Sequence, residues 1–321
     1  MIWENQVSPA PVPVIKTSKL LGVSKSGYYA WLKRKGRNNR KARDRPILEE
    51  ITKIASCRPG NGYGYRRMTH ELRKRGYIAN HKRVLRIMRE NNLTIKRPGH
   101  SIFTTDSNHD NPVYPNLVLG MKPTKPNEVW ASDFTYIQLN KEFVYLAVEL
   151  DIGTRRVIGW CLSRKLDTDT ALEALQMALY LRRNENLSGL IHHSDQGVQY
   201  TSIRFTECLR NHGIMISNSR KGTPTDNAYV ESFFKTLKYE EVYLNEYETF
   251  RDAADNIEEF IEDVYNAKRM HSSLGYKSPI EYEESLELPG TEEEKERDDK
   301  IDLFGNQEEK NKYDCLTMGP Q

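Results

Sequence analysis

Three acidic residues, Asp133, Asp195 and Glu231, have the types and settings of a metal-binding catalytic centre. Asp133 interrupts an apolar run, Asp195 directly follows another one, and Glu231 lies beside an apolar helical stripe. Carboxylates that converge from such elements could hold Mg²⁺ or Mn²⁺, which prefer oxygen ligands. Two such ions would activate an attacking oxygen and stabilise a leaving one in an in-line displacement at phosphorus. Taken singly, the acids could also be a solvent-facing strand residue, a turn residue and a helix boundary residue.

The residues around Glu231 offer contacts to nucleic acid. Asn227, Lys235 and Lys238 fall on or near the helix face that carries Glu231, where they could meet a DNA strand or its phosphates. Asp226 is interpreted as the cap of the same helix, because aspartate is a preferred N-cap residue. The helix therefore combines one candidate metal ligand with three candidate DNA contacts.

Histidine and cysteine offer no better metal site. His192 and His193 are neighbours in a predicted strand and point to opposite faces, so at most one could reach the acids, and both are interpreted as structural. The cysteines are far apart and form no CxxC pair, which argues against a zinc knuckle and a disulfide framework. They are Cys57, Cys161, Cys208 and Cys315.

The elements that must position the acids form a predicted α/β domain. Runs rich in Val, Ile, Phe, Tyr and Trp predict three antiparallel strands, with a hairpin turn at Asn140 and Lys141. Helical and apolar patterns then alternate, which predicts a mixed sheet with helices on both faces. The predicted strands are 128–139, 142–152, 157–162, 190–193 and 214–217, and the predicted helices are 167–182, 202–211, 226–244 and 249–270.

The first 110 residues are strongly basic and helical in pattern. They contain 24 Lys and Arg against 8 Asp and Glu, a net charge of +16, whereas residues 111–280 carry −4 and residues 281–321 carry −9. This is the electrostatic footprint expected for binding the phosphate backbone of DNA, although a basic surface that only aids solubility has the same composition. The outward-facing candidates for DNA contact are Arg66, Arg67, Lys82 and Arg83.

These patterns divide the chain into five segments. They are a helix-turn-helix-like N-terminal segment with a basic linker (1–45), a helical DNA-binding domain (46–97), a linker (98–126), the α/β catalytic core (127–285) and an acidic tail predicted to be disordered (286–321). Ser24 or Ser26 is placed to cap the second N-terminal helix, and a structural helical hairpin would fit this pattern equally well. No stretch has the pattern of a signal peptide or membrane span, which predicts a soluble, cytoplasmic protein without membrane partners.

Several motifs give the chain a resemblance to a known family. They are Leu-Gly-Val-Ser-Lys-Ser-Gly-Tyr-Tyr-Ala-Trp at 21–31, Trp-Ala-Ser-Asp-Phe-Thr-Tyr-Ile at 130–137, His-Ser-Asp-Gln-Gly-Val-Gln-Tyr at 193–200 and Asp-Asn-Ala-Tyr-Val-Glu-Ser-Phe-Phe at 226–234. Thirty-five residues separate Asp195 from Glu231, and a lysine follows the glutamate by seven positions. Over roughly residues 14–285 the chain resembles the OrfB transposases of bacterial insertion sequences, whose catalytic core is of the retroviral integrase type.

The resemblance implies a ribonuclease-H-like core in which Asp133, Asp195 and Glu231 bind Mg²⁺ or Mn²⁺, with two ions expected, and Lys238 contacts DNA. It also implies cleavage at the element ends to expose a 3′-hydroxyl, which attacks a phosphodiester without a covalent protein intermediate. The expected partners are double-stranded DNA of the ends and the target, further copies of the chain on DNA, and an upstream reading-frame product. One alternative is a DNA-binding regulator or domesticated remnant without catalysis. Another is a plain nuclease, which would not need the strongly basic first 110 residues.

Overall fold

The structure, a computed structural model, describes residues 12–37, 40–95, 111–140, 142–220 and 223–287. The chain forms two compact units, Met1–Ile95 and Lys96–Gln321. Within the described ranges, no helix is both long enough and apolar enough to cross a membrane.

The described part of the N-terminal unit is helical. Its α-helices are α1 (Val14–Leu20), α2 (Lys25–Arg37), α3 (Arg40–Ala55), α4 (Tyr65–Lys74) and α5 (His81–Glu90). The Ser24 hydroxyl accepts the Gly27 N–H at 2.9 Å and so caps α2, as predicted for this position. Asn80 caps α5 by accepting the Arg83 N–H at 2.8 Å. Ile51, Met68 and Val84 are fully buried in the interior of this unit.

The basic stretch 33–45, interpreted from the sequence as a linker, differs from that prediction because its described residues continue α2 and begin α3. Lysine and arginine are good helix formers, so a run of them does not interrupt a helix. The end of the stretch is also packed. Asp44 is buried and accepts hydrogen bonds from Arg83 Nε at 2.8 Å and Arg86 Nη2 at 2.5 Å, which ties α3 to α5.

The second unit is built on a mixed five-stranded sheet in the order β3-β2-β1-β4-β5. The strands are β1 (Val129–Gln138), β2 (Phe143–Asp151), β3 (Val157–Ser163), β4 (Ile191–Ser194) and β5 (Met215–Asn218). The first three strands pair antiparallel, and β4 and β5 run parallel to β1. This confirms the predicted meander followed by strand–helix units.

Helices cover both faces of the sheet. The α-helices are α6 (Thr168–Leu181), α7 (Val198–Thr201), α8 (Ile203–Asn211), α9 (Ala228–Glu240), α10 (Phe250–Glu259) and α11 (Pro279–Glu287), and a π-helical segment, Phe260–Asn266, continues α10. On one face, Val129 and Ala131 of β1 share a core with Phe233 of α9. On the other face, Trp130 packs with residues of α6 and α8. Gly159 of β3 permits close packing of α6, because a Cβ there would lie 2.1 Å from the Ala174 carbonyl oxygen.

Two predicted helices end earlier than their apolar patterns suggested. The pattern 226–244 gives α9 flanked by 3₁₀ turns, Pro224–Asn227 and Val242–Leu244, and the pattern 249–270 changes to π-helix at Phe260. The change follows from a strand contact. Asn266 accepts the Val157 N–H at 3.0 Å and donates to the Val157 carbonyl at 2.9 Å, so the end of the helix is fixed against β3.

The described part of the predicted linker 98–126, residues 111–126, lies along the second unit. The Tyr114 N–H donates to Asn218 Oδ1 and the Leu117 N–H donates to Ser217 Oγ, both at 2.9 Å. Both acceptors belong to β5, which is an edge strand of the sheet. Proline and polar residues without periodicity predicted a linker, but side chains of an edge strand can order such a segment through its backbone.

Candidate active site

Asp133 and Asp195 meet where the sheet opens between β1 and β4. The last register pair of these strands is Ala131 with His193, and β4 ends at Ser194, so Asp133 and Asp195 follow the paired region on both strands. Asp133 Oδ1 accepts the Phe134 N–H at 2.8 Å, and Asp195 Oδ1 accepts the Gly197 N–H at 2.9 Å. A Cβ on Gly197 would stand 2.9 Å from the same Asp195 oxygen, so glycine leaves room for this carboxylate.

The electrostatics place Glu231 in the same cluster. Burial and the negative charges of Asp195 and Glu231 together raise the pKa of Asp133 to about 8, while the Phe134 N–H and Lys238 oppose the shift. Both other predicted acids therefore contribute to the shift at Asp133. Asp133 and Asp195 also line one pocket, together with Tyr136, Tyr145 and Tyr200 among others.

Glu231 and two lysines share the exposed side of α9. The half-buried Glu231 carboxylate has Lys235 Nζ at 3.9 Å. Lys238 Nζ lies 4.3 Å above the centre of the Tyr136 ring, in a cation–π contact. Burial lowers the pKa of Lys238, and the nearby Asp133 opposes that shift. The predicted helix face is therefore present, with both lysines beside the acids.

Asn227 has a different position from the DNA-facing one expected for it. The residue is buried, and its side-chain amide donates to the main-chain carbonyl of Ser132 at 3.1 Å. Its Oδ1 is buried and has no hydrogen-bond partner among the described residues. Asn227 thus joins the start of α9, which carries Glu231, to the residue before Asp133.

Asp226 is not the side-chain cap predicted from the sequence. Its carboxylate accepts two hydrogen bonds at 3.0 Å from the Arg220 guanidinium and one at 2.9 Å from Asn116. The Arg220 bonds hold the pKa of Asp226 well below its ordinary value. A 3₁₀ turn precedes α9, so the first α-helical N–H groups lie beyond the reach of a conventional cap at this position.

The two histidines are structural, as interpreted from strand alternation. Both are fully buried. His193 hydrogen-bonds to Ser217 Oγ at 2.9 Å and to Ser219 Oγ at 3.0 Å, and burial lowers its pKa to about 4. His192 Nε2 lies 3.1 Å from the carboxylate of Glu149.

Glu149 is a buried polar residue that the sequence did not single out. It is fully buried in β2, and besides His192 of β4 its carboxylate accepts the Ser132 hydroxyl of β1 at 2.6 Å. The bonds connect three neighbouring strands of the sheet. A single glutamate within an apolar strand gives no pattern from which this network could be found.

The predicted DNA contacts of the N-terminal unit have unequal environments. Arg66 and Lys82 are exposed and Arg67 is half-buried. Arg83 donates through Nε to Asp44 and through Nη2 to the Arg43 carbonyl at 2.7 Å. Two of its donor groups therefore make hydrogen bonds within the N-terminal unit.

As the side chains stand, no three histidine, cysteine, aspartate or glutamate residues in the described ranges form a group that could hold a metal ion. The donor chemistry nevertheless fits a divalent cation. Asp133 and Asp195 present carboxylate oxygens to one pocket, and the mutual repulsion that raises the Asp133 pKa is what a cation would relieve.

Comparison with known families assigns both units. Models described as "Integrase core domain" match residues 123–224 and 212–279, and one described as "HTH-like domain" matches residues 41–100. The ribonuclease-H-like α/β fold, its acidic pocket and these matches define an enzyme of the polynucleotidyl-transferase type with a helical DNA-binding region.

The relatives identify the family more narrowly. The chain is 38% identical to an insertion element IS600 protein of Shigella sonnei, over 83% of this chain and 97% of that protein. It is 38% identical to the transposase of insertion sequence IS904 from Lactococcus lactis, over 75% of this chain and 94% of that one. A solved HTLV-2 integrase catalytic core in complex with magnesium matches with 17% identity and a TM-score of 0.39, over 50% of this chain and 99% of that one. The chain belongs to the insertion-sequence transposases with an integrase core domain.

Proposed function

We propose that this DNA transposase uses Asp133, Asp195 and Glu231 to bind Mg²⁺ or Mn²⁺ and joins DNA by attack of a 3′-hydroxyl on a phosphodiester. The observation that carries the proposal is the meeting of Asp133 and Asp195 at one pocket, beyond the paired residues of β1 and β4. The raised pKa of Asp133 agrees with it, because neighbouring half-buried carboxylates are unfavourable in their ionised forms unless a cation is present. The bound ions, expected to be two, would polarise the phosphodiester and activate the attacking oxygen.

The protein positions these acids through backbone contacts. Asp133 and Asp195 are oriented by the N–H groups of Phe134 and Gly197, each of which donates to the Oδ1 atom of the aspartate. Glu231 is held only at 3.9 Å by the exposed Lys235, so its carboxylate can turn toward the aspartates. Lys235 would then be released to contact DNA.

Asn227 acts in this proposal as a positioning residue. Its bond to the Ser132 carbonyl fixes the start of α9 beside β1, and therefore sets the separation of Glu231 from Asp133. Lys238, whose ammonium lies at the rim of the pocket, is placed to contact a DNA phosphate.

The N-terminal unit supplies non-specific affinity and recognition of the element ends. Its exposed basic residues, such as Arg66 and Lys82, suit phosphate contacts. Assembly of several copies on DNA, an upstream reading-frame product as a partner, and action in the cytoplasm complete the proposal. A DNA-binding regulator without catalysis remains the alternative function, and the presence of all three acids favours the transposase.

The test is strand transfer with labelled element ends in Mg²⁺. Asp133→Asn and Glu231→Gln are expected to lower end cleavage and joining about 10²- to 10³-fold, the range seen when charge stabilisation of a transition state is removed. Their DNA affinity should stay within about twofold of the parent. Asp169→Asn is the control, because this exposed aspartate pairs with Arg204 outside the pocket. Undiminished joining by either acid variant would overturn the assignment, and an inactive parent protein would favour the regulator.

A further inference from the structure

Aromatic side chains from two parts of the fold lie near Lys238, and the Tyr136 ring contacts its ammonium group. Tyr136 of β1 lies directly opposite Tyr145 of β2 in the sheet register, and its ring meets that of Phe143 edge-on at 5.8 Å. Past Lys238, the rings of Tyr239 and Tyr243 meet edge-on at 5.6 Å. We name Tyr136, Phe143, Tyr145, Tyr239 and Tyr243 the aromatic patch.

The two halves of the patch are neighbours. Tyr239 directly follows Lys238 in α9, and its ring contacts that of Tyr243. Lys238 is over the Tyr136 ring at 4.3 Å. The Tyr136 ring therefore contacts both Phe143 and Lys238, and Lys238 links it to the Tyr239 and Tyr243 pair.

The patch is exposed where large rings are usually buried. Phe143 is 48% exposed and Tyr243 is 49% exposed. Neither ring is needed to close the core, which is completed by other residues of the same elements, such as Val144 and Leu237. Exposed, clustered aromatic surface of this kind marks a binding site more often than scattered single residues do.

The patch is continuous with the candidate active site. Tyr136 and Tyr145 line the same pocket as Asp133 and Asp195. A DNA strand whose phosphodiester enters this pocket would therefore lie beside the rings of Tyr136 and Tyr145. Aromatic rings with an adjacent cation are the combination that binds unpaired nucleic acid, because any base can stack on a ring while the cation contacts phosphate.

We propose that the aromatic patch receives unpaired nucleobases of the DNA strand next to the reacting phosphodiester, while Lys238 holds a neighbouring phosphate. The proposal deepens the function given above and rests on it for the identity of the strand. Opening base pairs beside the reaction site costs a few kcal/mol, and stacking on the patch would offset part of that cost. The unpaired bases could come from the element end or from the target, and both share this chemistry.

Photocrosslinking of 5-iodouracil tests the contact directly. The base is placed in either strand near the cleavage position of the element end in one set of DNAs, and in a target DNA in a second set. Full-length protein carrying Asp133→Asn is irradiated with each, and the crosslinked peptide is sequenced. Attachment to Phe143, Tyr243 or another patch residue supports the proposal, and the DNA set that gives it identifies the source of the base. Attachment only outside the patch overturns it.

Affinity for pre-opened DNA gives an independent measure. The parent protein should bind an end with three unpaired bases more tightly than the fully paired end. Phe143→Leu combined with Tyr243→Leu should reduce that preference about 5- to 10-fold, the range expected when base stacking on aromatic side chains is lost. Tyr243→Phe, which keeps the ring, should retain the preference. Tyr180→Leu is the matched control, since this tyrosine is 69% exposed on α6 and belongs to no part of the patch.

The outcomes separate this proposal from the assignment of the acids. If the double variant Phe143→Leu and Tyr243→Leu keeps the full preference for the end with unpaired bases, the patch does not bind bases. This conclusion does not depend on the effect of Asp133→Asn on cleavage. If the double variant loses the preference while Asp133→Asn still joins DNA, the patch stands and the catalytic assignment fails. A change only in the oligomeric state of the leucine variants, measured by light scattering, would make the patch a contact between copies and overturn the proposal.

Discussion

Asp133 has an unusually high pKa for an aspartate. Burial, followed by the charges of Asp195 and Glu231, raises its pKa from 3.8 to about 8. Between these two values the folded protein keeps a proton that the unfolded chain releases. The contribution of Asp133 to stability is therefore fully present below about pH 4 and is lost as the pH rises towards 8. The residue is poised to accept a cation in place of the proton.

The variant Asp133→Asn should show how ionisation of Asp133 changes the free energy of unfolding of the metal-free protein. Because asparagine cannot ionise, we expect the variant to exceed the parent in unfolding free energy by roughly 1–3 kcal/mol at pH 8, and by much less near pH 4. The expected difference is smaller than the whole pKa shift would give at about 1.4 kcal/mol per pKa unit, because the Asp133 side chain keeps some contact with water. Urea denaturation with a chelator, from pH 4 to pH 8.5, measures the difference.

The exposed Asp169→Asn provides the comparison for this experiment, because its carboxylate pairs with Arg204 at the surface. Its effect should be small and vary little across the same pH range. A parent protein that gains stability over Asp133→Asn as the pH rises would contradict the expected sign.

The three acids could be predicted from the sequence, whereas their supporting contacts could not. An acid within an apolar strand, an acid after a strand and an acid on a helix are visible as local patterns. Asn227 lies on the same helical face as Glu231, so periodicity indicated a DNA contact. Its actual partner is a main-chain carbonyl 95 positions away, and no local pattern records that contact.

At the scale of elements, the geometry of the site depends on how α9 is held against β1. Phe233 and Leu237 pack α9 on the core, but apolar contacts tolerate small sliding movements. The bond from Asn227 to the Ser132 carbonyl is directional, and Arg220 and Asn116 hold the adjacent Asp226. These polar contacts fix the start of the helix and hence the position of Glu231.

Substitution of Asn227 should therefore act on catalysis more than on DNA affinity. Asn227→Ala removes the bond, and Asn227→Asp also places a negative oxygen against a carbonyl, so we expect joining rates to fall about 10-fold and about 100-fold, respectively. The Mg²⁺ concentration for half-maximal rate should rise in the same order. Metal titrations of strand transfer, with binding measured in parallel, test this.

Ser232→Ala is the control on the same helix, because Ser232 is exposed. The Thr236 hydroxyl donates to the backbone carbonyl of Ser232, which the substitution keeps. It should leave the rate and the Mg²⁺ requirement unchanged. If Asn227→Ala weakened DNA binding while the Mg²⁺ requirement stayed constant, Asn227 would be a DNA contact after all.

Element order was predictable because strand and helix periods are clear in residues 127–285, and the parallel placement of β4 and β5 follows from the intervening helices. Segments without a period were less predictable. Residues 111–126 are held by side chains of β5, and the described residues of the basic stretch 33–45 are helical, with Asp44 tied to α5. In both cases the segment contacts a partner that is distant in the sequence.

Charge is distributed unevenly over the whole molecule. Residues 1–110 carry a net charge of +16, while residues 111–280 carry −4. An acidic catalytic region repels phosphate, so the basic N-terminal unit must supply most of the electrostatic attraction to DNA. Some of its cations are used internally, however, and Arg83 is one of them.

Full-length variants can separate these two uses of positive charge. Arg66→Ala and Lys82→Ala remove exposed cations, so each should weaken DNA binding and reduce the slope of log affinity against log salt by about 0.9, the loss of one phosphate contact. Arg83→Ala should change that slope little and instead lower unfolding stability by about 1 kcal/mol, because it leaves the buried Asp44 with fewer donors. Binding titrations from 50 to 300 mM salt, roughly the range over which counterion release is measurable, give the slopes. A slope change with Arg83→Ala and none with Arg66→Ala or Lys82→Ala would place the DNA-binding face elsewhere on the N-terminal unit.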